Sequence, residues 1–340
     1  MTAAAGPIRV LVADDSALFR EALEGLIRAE PGFEVVATAA DGDQAAEAAR
    51  RLRPDVVTMD LHMPDADGFS GIARIMAETP TPILVLAASP TESAGFKALS
   101  LGALDILGKP GPGEDLWRYG SLLRSRLRLL AGVKVIRHPR GLRAGSRAAA
   151  RVPVGKREIV VVGASLGGPR ALAQILRALP ADLPVPVAVV QHIAHGFAEG
   201  LAAWLDAETE LEVRAAADRD VLKPGRVLIA PSGRHLVLAD GYVRLSDDPP
   251  IESFRPSVNP LFASAARVYG PRACGVILTG MGRDGAAGLR ALREAGGYTL
   301  AQDEASSAVF GMARAAIEAG GVDRVLPLED IPAALVELVR

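Results

Sequence analysis

Three acids and one lysine stand where short apolar runs end in the first 110 residues. Asp14 and Asp15 close IRVLVAD, Asp60 closes DVVTMD, and Lys109 closes ALDILGKP. If those runs are neighbouring strands, the four side chains meet in the crevice beyond the carboxyl ends of an open α/β sheet. Carboxylates gathered there repel one another unless a cation sits among them. A few hard oxygen ligands suit Mg²⁺, with Asp14, Asp15 and Asp60 as its ligands. Lys109 adds positive charge to the same pocket. A carboxylate can attack a phosphoryl group and form an aspartyl phosphate. Asp60 is the candidate, because it stands alone while the other two acids are paired. Spacing supports a second reading equally well, in which the acids cap helices, as Asp15 would before SALFREALEGL.

A second constellation begins at residue 163. Gly163-Ala164-Ser165-Leu166-Gly167 fits G-x-S-x-G between an apolar run and a helical stretch, the context in which a serine hydroxyl is exposed on a tight turn. The helix start behind it offers free N–H groups for developing negative charge. GASLGG also fits a phosphate-binding glycine turn, which wants an acid at the end of the next strand. That strand, VPVAVVQ, is followed instead by His192. A histidine there can act as base for Ser165, or it can be a core residue. Asp284, in the glycine-rich GMGRDG, is the candidate to orient the imidazole. Backbone N–H groups near Met281 and Gly282 complete a possible oxyanion site. The order Ser, His, Asp differs from the Ser, Asp, His order of α/β-hydrolases, so the scaffold is expected to differ. Of the other histidines, His62 and His138 lie far from this group in sequence. His195 reads as a solvated loop residue, and His235 either packs or binds.

Positioning these groups takes two sets of strands and helices. Residues 8–110 alternate apolar runs at 8–14, 33–39, 55–60, 81–88 and 103–110 with helical stretches at 17–30, 42–52, 69–78 and 91–101. That alternation predicts a flavodoxin-like parallel sheet with helices on both faces. From Glu158 it restarts, with strands expected at 159–163, 185–191, 211–216, 226–231, 235–240, 274–280 and 297–302. The fold class is α/β twice over, the second unit being doubly wound. Expected boundaries are 1–125 for the first domain, 126–156 for a linker and 157–340 for the second domain. Arg124–Arg157 holds eleven Lys or Arg and no acid. It reads as a solvated linker rather than a docking surface, since no aromatic residues are interleaved for base stacking.

Composition excludes several classes. The net charge of -2 gives no case for nucleic-acid binding. Cys274 is the single cysteine, which rules out an intrachain disulfide and any multi-cysteine metal site. Its apolar neighbours predict a buried core residue. No run of 18 apolar residues occurs and the first residues do not read as a signal peptide, so the expected compartment is the cytoplasm, without membrane insertion.

Several long motifs carry a resemblance. VADDSALFREAL, PDVVTMDLHMPDADGF and GALDILGKP resemble response-regulator receivers across residues 8–110. The resemblance implies Mg²⁺ at Asp14 and Asp15, phosphorylation of Asp60 by a histidine kinase, and a phosphoryl contact from Lys109. The family usually has Ser or Thr where this chain has Ala87, followed by Ala88, and often an aromatic where it has Ile106. Both positions normally relay phosphorylation, so a weaker response is expected. GASLGGPRAL, VVQHIAHGF, APSGRHL, FRPSVNPLFASAA, GVILTGMGRDGAAGL and AQDEASSAVFGM resemble the CheB-type protein-glutamate methylesterases over residues 157–335. This implies hydrolysis of glutamate γ-methyl esters on chemoreceptors, with receptor glutamine as a further substrate. It implies Ser165, His192 and Asp284 as the triad, Met281 as oxyanion support, and no cofactor for the ester chemistry. Leu166 stands where Thr is common, Ala194 and His195 where Pro-rich sequence is common, and Ala313 where Pro is common. Two rival expectations are an inactive two-component regulator and an esterase of another signalling pathway.

Overall fold

Near-continuous apolar runs become strands buried on both faces, as a helix-covered parallel sheet requires. The computed structural model describes residues 6–63, 67–88, 93–111, 113–133 and 156–340. It divides into two compact units, Met1–Leu142 and Arg143–Arg340.

The first unit runs β1 (Ile8–Ala13), α1 (Ala17–Arg28), β2 (Phe33–Ala39), α2 (Gly42–Leu52), β3 (Val56–Asp60), α3 (Gly68–Glu78), β4 (Ile83–Ala87), α4 (Ser93–Ser100), β5 (Asp105–Gly108) and α5 (Leu116–Ala131). Its parallel sheet has the order β2-β1-β3-β4-β5. The order reverses between β1 and β3, which puts the switch point at the ends that carry Asp14 and Asp60. Ser16, not Asp15, caps α1, its Oγ accepting the Phe19 N–H at 3.3 Å. Asp15 is thereby free of the capping role that its position allowed.

α5 continues six residues past the boundary expected at 125. Its apolar stripe Leu123, Leu127 and Leu130 stays buried. Three cations of the basic stretch also find acids in the same unit. Arg124 and Arg128 both reach Glu30, at 3.1 and 2.8 Å, and Arg126 reaches Asp105 at 2.9 Å. The rest of the expected linker from Lys134 to Gly155, with His138, lies outside the described residues.

The second unit runs β6 (Ile159–Ala164), α6 (Gly168–Ala178), β7 (Val187–Gln191), α7 (Ala198–Glu208), β8 (Glu212–Ala215), β9 (Arg226–Ile229), β10 (His235–Ala239), β11 (Tyr242–Ser246), α8 (Val258–Val268), β12 (Ala273–Ile277), α9 (Ala286–Glu294), β13 (Tyr298–Gln302), α10 (Met312–Glu318), β14 (Arg324–Leu326) and α11 (Ile331–Val339). Seven strands form a parallel sheet in the order β14-β13-β12-β6-β7-β9-β8. β6 is its pivot, flanked by β7 and β12, and every residue of the three is buried.

The run HLVLAD leaves this series. It forms β10, which pairs antiparallel with β11 across Asp240-Gly241, with Ala239 opposite Tyr242. Asp-Gly favours the two-residue hairpin turn that matches strand twist. Strands β11 and β14 and helix α11 were not read from the sequence. No helix among the described residues is long and apolar enough to cross a membrane.

Cys274 lies in β12 at 0% exposure, and burial pushes its thiol up to about 12. In the folded chain it should not react with a thiol reagent at pH 8, and denaturant should release one reactive thiol per chain. Rapid labelling of the native protein would contradict the burial.

Candidate active site

Ser165 follows β6 directly. Its N–H donates to Thr279 O at 3.0 Å and its carbonyl accepts from Gly168 N at 2.8 Å, which closes the turn into α6. Gly167 holds that turn at φ +76, a conformation that favours glycine. The loop after β12 presses on the serine. A Cβ on Gly280 would lie 2.7 Å from Ser165 Cβ and 2.4 Å from Met312 Sδ. Thr279 Oγ1 ties the two loops together by donating to Leu166 O at 2.9 Å and accepting from Val309 N at 2.9 Å.

His192 follows β7, the strand next to β6. The pairing of Ala164 with Gln191 sets the two following residues side by side, and His192 N donates to Ala164 O at 2.9 Å. Gln191 Nε2 braces both ends, donating to Ser165 O at 2.7 Å and His192 O at 2.8 Å. The imidazole is 7% exposed. Phe254 stacks on one face, with ring centroids 4.0 Å apart and planes 4° from parallel. His192 Nε2 lies 2.8 Å from Asp284 Oδ2. His192 Nδ1 is buried and has no hydrogen-bond partner among the described residues.

Asp284 is 1% exposed. It lies against the start of α8. Ser257 Oγ donates to Oδ1 at 2.7 Å, Val258 N to Oδ2 at 2.7 Å and Asn259 N to Oδ1 at 3.1 Å. Free N–H groups and the helix dipole favour a carboxylate there. Burial by itself raises its pKa. The hydrogen bond and charge of His192, the Val258 N–H and the Ser257 hydroxyl outweigh that and hold the carboxyl below the usual range. Gly163 makes the approach of α8 possible, since a Cβ on it would lie 2.3 Å from Val258 Cγ1.

Ser165, His192 and Asp284 are thus collected at the point where the strand order turns back at β6. The geometry suits proton removal from a serine by an imidazole that a buried carboxylate orients. Ser165 Oγ and His192 Nδ1 share no hydrogen bond, a contact that often forms only with substrate present. Met281 is 46% exposed, and among the described residues neither its N–H nor that of Gly282 is taken by a protein acceptor. His195 is exposed, its ring beside Gly233. The residues missed in the sequence are Phe254, Ser257 and Val258. All three stand in FRPSVNP, where a serine preceding a helical stretch signals a helix start but not what that start would hold.

In the first unit, carboxylate oxygens of Asp14, Asp15 and Asp60 lie within 4.8 Å of one another. Lys109 Nζ is 2.7 Å from Asp14 Oδ2 and 3.0 Å from Asp60 Oδ2. Burial holds the Asp60 carboxyl above the usual range, although Lys109 pulls it down. Burial opposes the charge of Lys109, but Asp14 and Asp60 raise its ammonium above the usual value. Asp14 Oδ2 is buried and accepts no hydrogen bond in addition to its ion pair. Three hard oxygen donors, one of them short of partners, fit Mg²⁺. Ala87, with no hydroxyl, ends β4 at 3% exposure, and Ile106 is buried against Gly95 of α4. Ser89 lies outside the described residues.

The depressed pKa of Asp284 makes a pH prediction. Stability from such a group is complete above its unfolded pKa, about 3.9, and is lost as pH falls through the lower folded value. In urea, the second unit of Asp284→Asn should be less stable than wild type by about 1.5–3 kcal/mol at neutral pH. That gap should shrink as pH falls below about 4. A gap that does not change with pH would show that the charge of Asp284 is not what the fold uses.

Comparison with known proteins matches each unit to a family. Residues 160–335 match the CheB methylesterase family and residues 10–119 match the response regulator receiver domain. A protein-glutamate methylesterase/protein-glutamine glutaminase 2 of Anaeromyxobacter dehalogenans is 72% identical over 334 residues, covering 98% of each chain. A protein-glutamate methylesterase/protein-glutamine glutaminase 4 of Myxococcus xanthus is 44% identical, again over 98% of each. The crystal structure of the Thermotoga maritima CheB methylesterase catalytic domain is 42% identical, with a TM-score of 0.52, and covers 54% of this chain and all of that one. The chain therefore belongs to the CheB methylesterase family, with a response-regulator receiver domain ahead of the CheB domain.

Proposed function

We propose that this chain hydrolyses glutamate γ-methyl esters on chemoreceptors in the cytoplasm, and that the same site deamidates receptor glutamine. The buried His192–Asp284 pair, set beside Ser165 at the sheet's switch point, is the observation that carries the proposal. Ser165 Oγ attacks the ester carbonyl while His192 Nδ1 takes its proton. Nδ1 is the ring nitrogen that Asp284 leaves unpartnered. The carbonyl oxygen becomes an oxyanion, and the N–H groups of Met281 and Gly282 with the start of α6 are the nearby donors for it. His192 then passes the proton to the methoxy oxygen and methanol leaves. Water attacks the Ser165 ester by the reverse sequence and releases the glutamate carboxylate. With glutamine the leaving group is ammonia. Asp284 keeps the imidazole in plane and stabilises its protonated form throughout.

The receiver is proposed to set the rate of this reaction. A histidine kinase would supply the phosphoryl group to Asp60. Asp14, Asp15 and Asp60 would hold Mg²⁺, whose charge offsets that of the incoming phosphoryl oxygens. Lys109 stands ready to contact the same oxygens. Ala87 supplies no hydroxyl to bond the phosphoryl group, which weakens the coupling between phosphorylation and ester hydrolysis.

Ser165→Ala should lose methanol release from methylated receptor by about a millionfold, with its thermal stability nearly unchanged. Wild type should react with a fluorophosphonate probe at Ser165, and the variant should not. A Ser165→Ala protein that keeps a tenth of the rate would place the nucleophile elsewhere.

With Mg²⁺ and a small-molecule phosphodonor, the full chain should gain a hydroxylamine-sensitive phosphoryl group that Asp60→Asn lacks. The donor should speed ester hydrolysis in wild type, and more so in Ala87→Thr. Label that persists in Asp60→Asn would assign the phosphoacceptor to another residue.

A further inference from the structure

One histidine of the second unit lies outside the proposed chemistry yet close behind it. His235 opens β10 and is 1% exposed. Its Nδ1 is 3.1 Å from the backbone N of Ser257, and its Nε2 is 3.2 Å from Pro249 O. An amide N–H can only donate, so Nδ1 carries no proton. A carbonyl can only accept, so Nε2 carries one. The ring is neutral, and its two partners fix the tautomer.

Ser257 is the N-cap of α8, but its hydroxyl does not cap that helix. A serine there usually turns its oxygen back to the N–H of the second or third helical residue. Here Oγ is turned to Asp284 Oδ1 at 2.7 Å, while the N–H groups of Val258 and Asn259 also serve Asp284. The usual internal anchor of the cap is therefore absent, and the Ser257 N–H to His235 takes its place. The hairpin is tied to the same helix further along, where Leu238 N donates to Ser264 Oγ at 2.9 Å.

We propose that His235 is a positioning residue for ester hydrolysis. By accepting the Ser257 N–H it fixes the first turn of α8, and through Ser257, Val258 and Asn259 it fixes Asp284 and the plane of His192. The inference rests on the reading of Ser165, His192 and Asp284 as the catalytic triad. His235 itself touches none of the reacting atoms.

The test uses full-length His235→Asn, His235→Gln, His235→Leu and Ser257→Ala, with methanol release from methylated receptor and fluorophosphonate labelling of Ser165 as readouts. The amide oxygen of Asn takes the place of Nδ1, whereas Gln reaches only toward the place of Nε2. His235→Leu and His235→Gln should lower kcat by about tenfold to a hundredfold and slow labelling to match, with KM little changed. His235→Asn should recover most of the rate. Ser257→Ala keeps the N–H that His235 accepts but removes the hydroxyl donor to Asp284, so it should lower kcat as well, and combining it with His235→Leu should cost less than the sum, because both changes act on how the start of α8 holds Asp284. A merely space-filling histidine predicts the opposite ranking, with Leu tolerated at least as well as Asn. Equal rates for Asn and Gln, or additive losses with Ser257→Ala, would overturn the proposal. If His235→Leu does not fold, the Asn and Gln comparison decides. A wild-type chain that neither releases methanol nor labels at Ser165 overturns the triad reading and this proposal with it. A reactive wild type with equal Asn and Gln variants overturns this proposal alone.

Discussion

The second unit is organised around the burial of one carboxylate. Taking Asp284 out of water costs several kcal/mol unless its oxygens are fully engaged. Three donors from the first turn of α8 and the imidazole of His192 engage them. That arrangement works only if α8 begins close to the end of β6, and the absence of a side chain on Gly163 permits the approach. Ser257 spends its hydroxyl on Asp284 instead of on its own helix, and so it relies on His235. The β10–β11 hairpin, which takes no part in the sheet, supplies that histidine. A packing constraint at β6, a helix start and a hairpin are therefore all consequences of holding one negative charge in a dry place.

The receiver meets the same problem with a different answer. Its acids stay together without dedicated backbone donors for every oxygen, and a single ammonium sits between two of them. Asp60 is held by Lys109 and the Leu61 N–H. An oxygen of Asp14 has only Lys109. Such a cluster is left open to a cation, whereas Asp284 is closed to everything except His192. On the proposed reading, one chain thus contains a carboxylate built to orient and carboxylates built to bind.

Much of this was legible in the sequence, because strand ends mark where chemistry collects. Asp14, Asp60, Lys109, Ser165 and His192 each stand at the end of an apolar run, and parallel sheets bring such ends together. The boundary expected at 125 falls inside α5, because its stripe of Leu continues into a basic stretch whose composition reads as a linker. HLVLAD reads like any other strand, and only its closing Asp240 followed by Gly241 tells a hairpin from a sheet strand. What could not be read was the support of Asp284. Ser257 lies 27 residues away in sequence and His235 lies 22 residues before Ser257, and no local pattern links them. Their association is set by packing α8 on β6, a property of the fold and not of any segment.

His192 meets Asp284 through Nε2, the ring nitrogen farther from the main chain. The nitrogen left for proton traffic is Nδ1, which sits near the backbone and has little reach. On the proposed reading, the separation of nucleophile and base is then not adjusted by a long side chain. It is set by the pairing of β6 with β7, where Ala164 faces Gln191, and by the spacing of about 4.8 Å between neighbouring strands. The sheet serves as the ruler for the reaction. A one-residue slip of β7 against β6 would turn the imidazole to the opposite face and silence the enzyme with every side chain of its active site still present.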